Sequence, residues 1–103
     1  MTSKQRAFLK KEAHTLEPIV RIGKDGLSDN IVQSLLDAIN SRELIKVKVL
    51  QNLDADKDDT REMAEELSRK SGAELVGVIG KIIIFYKENK DKPVVSALLR
   101  KIK

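Results

Sequence analysis

The chain has 103 residues, 41% hydrophobic and 35% charged, with a net charge of +4 and neither cysteine nor tryptophan. This is enough for one domain that buries roughly 65% of its unfolded surface around a single core, and the missing cysteines exclude a disulfide framework and a thiolate metal site. No apolar run approaches the roughly 18 residues that span a bilayer and the N-terminus carries no secretory pattern, so a soluble, cytoplasmic protein without a membrane partner is expected.

Charge is unevenly placed. From Lys4 to Lys24 the basic residues Lys4, Arg6, Lys10, Lys11, Arg21 and Lys24 face only Glu12 and Glu17, and basic residues again dominate from Lys81 to Lys103. Between Asp54 and Glu66 the sign reverses. One basic and one acidic surface should result, and the basic one favours a polyanionic partner.

Residues 3 to 14, "SKQRAFLKKEAH", predict a helix capped by Ser3, with Phe8, Leu9 and Ala13 on one side and Lys4, Arg6, Lys10 and Lys11 on the rest. Pro18 disfavours helix before it, which makes "PIVRI", 18 to 22, a short strand. "GKDG" follows. Ser28 then caps a helix over 28 to 41, with Ile31, Val32, Leu35, Leu36 and Ile39 at helical spacing.

Residues 43 to 51, "ELIKVKVLQ", alternate as a strand: Ile45, Val47 and Val49 on one face, Leu44, Lys46, Lys48 and Leu50 on the other. Asp56 or Asp58 opens a third helix with a stripe of Met63, Ala64 and Leu67, stopped by Gly72. "AELVGVI" and "IIIFYK" flank Gly80-Lys81, a pair suited to a type II′ hairpin turn, and the unbroken run Ile82 to Tyr86 marks an interior strand buried on both faces. Two crossovers followed by a hairpin give an α/β domain with a four-stranded mixed sheet. Beyond residue 88 lies a basic amphipathic extension, 89 to 103. Pro93 could serve there as the first residue of a short helix carrying Val94, Val95, Leu98, Leu99 and Ile102, the alternative being a frayed tail.

Gly23-Lys24-Asp25-Gly26 stands at the C-terminal end of a strand and the N-terminal end of a helix, where free backbone N–H groups and the helix dipole meet. Glycines let a phosphate approach the main chain, and Lys24 adds a cation. An ordinary strand-to-helix turn would also use these residues. Neither nucleotide-loop pattern is present, and the closer analogue is the GXXG loop with which KH domains clamp unpaired nucleotides. Arg6, Lys10 and Lys11 could extend such a surface, and Lys46 and Lys48 form a second cationic row, unless both serve only as solvated faces.

Other constellations carry less. Asp54, Asp56, Asp58 and Glu65 occupy positions 1, 3, 5 and 12 of an EF-hand loop, but Asp59 stands where glycine is required, so an acidic helix start explains them better. His14, the single histidine, suits packing or capping at a helix end. Nothing assembles a nucleophile, base and orienter, so no enzyme, cofactor, metal or small-molecule substrate is expected. Phe8, Phe85 and Tyr86, the only aromatic residues, fit a core better than a base-stacking platform.

"AHTLEPIVRIGKDGL", "ELIKVKV" and "LVGVIGKIIIFYK", in this order, resemble the bacterial YhbY family, the stand-alone form of the CRM (chloroplast RNA splicing and ribosome maturation) domain. The resemblance covers roughly residues 4 to 87. It implies a compact two-layer sandwich, a helix followed by β-α-β-α-β-β with sheet order 1-2-4-3, similar to the C-terminal domain of translation initiation factor 3. It also implies RNA binding by a domain spanning 1 to 88, and association with the precursor of the large ribosomal subunit. The contacts carried over are Gly23, Lys24, Asp25 and Gly26, with Arg6, Lys10 and His14 of the accompanying helix. Asp25 departs from an all-basic loop and directs attention to main-chain contacts. A monomer is expected, and the competing reading is a protein-docking module that uses the acidic third helix or the apolar tail.

Overall fold

A computed structural model describes residues 1 to 23, 26 to 50 and 57 to 102. Four helices and four strands follow in the order α1 (Ser3–Ala13), β1 (Val20–Ile22), α2 (Asp29–Arg42), β2 (Leu44–Val49), α3 (Lys57–Ser71), β3 (Glu74–Ile79), β4 (Ile82–Tyr86) and α4 (Val95–Leu99). The sheet order is β1-β2-β4-β3, the expected 1-2-4-3. β1 and β2 are parallel, and β4 runs antiparallel to both of its neighbours.

Alternation decides which side chain enters which core. Val20, Ile22, Ile45, Val47, Val49, Ile83 and Phe85 point to one face, where Leu35 and Ile39 of α2 and Ala64 and Leu67 of α3 complete the main core. The other parity, Leu44, Ile84 and Tyr86, meets Leu9 and Ala13 of α1 and Leu99 of α4. The expected sandwich of α2 and α3 on a sheet is therefore joined by a partial cover on the opposite face. β4 is buried along almost its whole length because both cores use it, as its unbroken apolar run predicts.

Several local details differ from the expectation. The cap of α1 is Thr2 rather than Ser3: Thr2 accepts from the Gln5 N–H at 3.1 Å, and the Gln5 side chain accepts in return from the Thr2 N–H at 2.9 Å. β1 starts at Val20, two residues after Pro18, although the Ile19 N–H already donates to the Lys46 carbonyl at 3.2 Å. Asp54, Asp56 and the Asp58 side chain, read as the start of α3, lie outside the described residues. Gly72 ends α3 with φ +74, and Gly80 opens the hairpin with φ +59. A positive φ at the first central residue of the turn and not at Lys81 is the type II′ pattern.

The C-terminal extension forms a docked helix, but Pro93 is not its first residue. α4 begins at Val95, and Val94 at its N-cap supplies no side-chain acceptor. That task falls to Glu43. This residue is fully buried, closes α2 through its N–H to the Ile39 carbonyl, and has φ +65, a left-handed conformation that costs a non-glycine residue energy. Its carboxylate accepts the N–H groups of Asn89 (2.6 Å), Val94 (2.6 Å) and Ser96 (3.0 Å). Burial alone would raise the carboxyl, but the three donors more than offset it and hold it down at about 2. Burial and the nearby Glu43 charge push the Tyr86 hydroxyl up in turn.

Candidate nucleic-acid interface

The Gly23 to Gly26 segment leaves the C-terminal end of β1 beside the C-terminal end of β2, where the Leu50 N–H donates to the Ile22 carbonyl at 3.0 Å. The Gly26 N–H donates to the Gly23 carbonyl at 3.0 Å, and the Ser28 N–H donates to the Gly26 carbonyl at 3.1 Å. Ser28 Oγ then accepts the Ile31 N–H as the cap of α2. Gly26 has φ +63, and a Cβ added there would meet nothing within 4 Å. The backbone conformation, not crowding, requires glycine at this point. A Cβ on Gly23 would lie at ordinary contact distance, 3.5 Å, from Leu50 Cδ1. Lys24 and Asp25, between them, lie outside the described residues.

The remaining candidates divide into two groups. Arg6 Nη1 donates to the carbonyls of Leu75 (2.8 Å) and Val76 (2.9 Å), at the start of β3 and far along the sheet from the loop. The carbonyls belong to an irregular stretch, where register shifts between Leu75 and Gly77 so that Val76 has no partner on β4. Arg6 thus ties α1 to the bulge. Lys46 Nζ donates to the carbonyls of His14 (3.2 Å) and Leu16 (3.0 Å), closing the C-terminal end of α1 and the turn that leaves it. Both side chains hold the fold together.

Lys10, Lys11, His14 and Lys48 are exposed. Lys10 crosses the sheet face at Gly77: a Cβ built on that glycine would stand 2.7 Å from Lys10 Cε. Gly77 therefore provides the channel through which the lysine stem runs. Lys48 is in register with Arg21 of β1 on one side and Ile82 of β4 on the other.

Arg21 and Lys81 join these candidates by position in the sheet. Arg21 is exposed between buried Val20 and Ile22, two residues before Gly23. The alternation within "VRI" was a sufficient signal, but only the register with Lys48 makes a pair of it. Lys81 sits in the hairpin turn at the same end of the sheet, where its carbonyl accepts the Val49 N–H at 2.8 Å. No carboxylate occurs in β1, β2 or β4, and Glu74, the acid of β3, is at the opposite end. α3 packs on the far face of the sheet, with Arg61–Glu65 and Lys70–Glu66 ion pairs along its surface. Charge segregation suits an anionic ligand approaching from the loop end. Among the described residues, no group of three or more His, Asp or Glu is placed to hold a metal ion.

A "Probable RNA-binding protein", YqeI of Bacillus subtilis, is 46% identical over 91 residues, covering 88% of this chain and 92% of its own. An "RNA-binding protein" of Haemophilus influenzae is 34% identical over 91 residues, covering 88% of this chain and 89% of its own. The solution structure of SAV1595 from Staphylococcus aureus superposes with a TM-score of 0.75 at 46% identity, covering 87% of this chain and 91% of that one. The family model for the CRS1/YhbY (CRM) domain matches residues 1–87, and the chain belongs to that family.

Proposed function

We propose that this protein is a non-catalytic RNA-binding factor that acts in the cytoplasm, as a monomer, on the precursor of the large ribosomal subunit. It holds ribosomal RNA through the Gly23-Lys24-Asp25-Gly26 loop, with Lys10, Lys11, His14 and Lys48 as further contacts and Arg6 and Lys46 keeping that surface in shape. The observation that supports the reading best is Gly26, with positive φ and open space at its Cβ position, its N–H on the Gly23 carbonyl, at an end of the sheet where Arg21 and Lys48 are in register and the neighbouring strands carry no acid. The names of the relatives favour RNA as the anion.

Sedimentation of lysate through a sucrose gradient tests this reading. Co-migration with particles lighter than the mature large subunit, abolished by ribonuclease, is the expected result. The competing reading, a protein-docking module, draws on a cleft of about 520 Å³ at the opposite end of the sheet, lined by Leu16, Ile19, Val94 and Val95 among others. Val94 is 57% exposed there. Co-migration that survives ribonuclease would favour it.

A further inference from the structure

The face of the sheet that carries α1 is covered only in part. Leu44, Ile84 and Tyr86 are buried beneath α1 and α4, and Lys46 marks the boundary with its ammonium on the carbonyls at the end of α1. One pleat further towards the glycine loop the sheet is open. Arg21, Lys48, Ile82 and Ile79 stand there side by side, one from each strand, in continuous register across β1, β2, β4 and β3. Three interstrand spacings give the row a length of about 14 Å.

Its two halves differ in chemistry. Arg21 and Lys48 are exposed cations next to the loop, and Ile79, 60% exposed, adjoins the half-buried Ile82 at the far end. An RNA duplex offers such a surface phosphates and ribose, and keeps the faces of its bases within the stack. The isoleucine end finds an apolar partner only if a base leaves the stack. No exposed aromatic residue lies in the row, so the contact is aliphatic packing and not ring stacking.

Resting on the RNA-binding reading above, we propose that this open row is a binding site for one unpaired nucleotide, adjacent to the glycine loop. Arg21 and Lys48 take the phosphate, and the base lies over Ile82 and Ile79. The protein would then select a bulge or a strand end within structured RNA without reading sequence.

Two hairpin RNAs with the same stem, one fully paired and one with a single-nucleotide bulge, test the proposal by fluorescence anisotropy at fixed salt. The parent should bind the bulged RNA more tightly. Ile79→Asn, at an exposed position that tolerates the change, should lose roughly fivefold on the bulged RNA and leave the paired one unaffected. Arg21→Ala should weaken both and reduce the salt slope by about 1. Equal affinity of the parent for the two RNAs, or an Ile79→Asn loss that is absent or the same on both, overturns this inference alone. A parent that binds neither RNA overturns the RNA-binding reading with it.

Discussion

Arg6 donates a hydrogen bond of 2.9 Å to the carbonyl of Val76, the one residue of β3 without a partner on β4. With Nη1 on the carbonyls of both Leu75 and Val76, this guanidinium is anchored to the fold. Arg6→Ala should therefore cost about 1–3 kcal/mol of stability, the usual range for leaving part-buried carbonyls unsatisfied. Its RNA affinity, once the protein is folded, should stay within about twofold of the parent, in contrast to loss of a phosphate contact. Urea titration and anisotropy on the same variant separate the two effects.

Gly77 and Lys10 form a second such pair. Because the atom 2.7 Å from a Cβ on Gly77 is the far end of a lysine, Gly77→Ala should move that side chain at little cost to the fold. The ammonium is then displaced from the sheet face. RNA affinity should fall by about as much as in Lys10→Ala, and the double variant should be no weaker than Lys10→Ala alone. Additive losses in the double-mutant cycle would show that Gly77 acts through something other than Lys10.

The Glu43 carboxyl, held at about 2 against an ordinary 4.5, links the tail to pH. A depressed folded-state value gives stability that is fully present above the unfolded value and is lost as pH falls from about 4.5 towards 2. The difference corresponds to about 3 kcal/mol. Glu43→Gln should remove most of this acid dependence and lower stability at neutral pH by a similar order. Hydrogen exchange at the Val94 and Ser96 amides, which lose their charged acceptor, should quicken first.

What could be read in the sequence and what could not follow from the range of the interactions. Ser28, the stripe Leu35 and Ile39, and the double-sided run Ile82 to Tyr86 announce themselves within a few residues, so α2 and β4 were legible. Sheet order came from the family resemblance. Glu43 was not legible: its partners Asn89, Val94 and Ser96 are some 50 residues away, and nothing local marks a buried acid with positive φ. Separation in sequence likewise hid the structural duties of Arg6 and Lys46, since a lysine that closes a helix end and one that meets phosphate look alike in a sequence. Arg21 had its signal, a charge between two buried residues, but acquires meaning only from its register with Lys48.

The salt dependence of binding follows from the same surface. If the loop and the exposed Lys10, Lys11, Arg21 and Lys48 meet phosphates, log affinity should fall linearly with log salt, with a slope of roughly −0.7 to −0.9 for each phosphate engaged. Lys11→Ala should reduce the slope by about one such step, with stability unchanged. An affinity insensitive to salt between about 50 and 200 mM would contradict phosphate contact as the basis of binding.

The proposed grip on RNA turns on the glycine loop. Lys24→Asp places a second acid beside Asp25, between the glycines where phosphate must approach, and leaves the positive φ of Gly26 and the Ser28 cap untouched. Binding of this variant to fragments of large-subunit ribosomal RNA, measured beside the parent with circular dichroism to confirm the fold, should be weaker by on the order of 10-fold or more. A folded Lys24→Asp protein that binds those fragments as tightly as the parent would contradict the account.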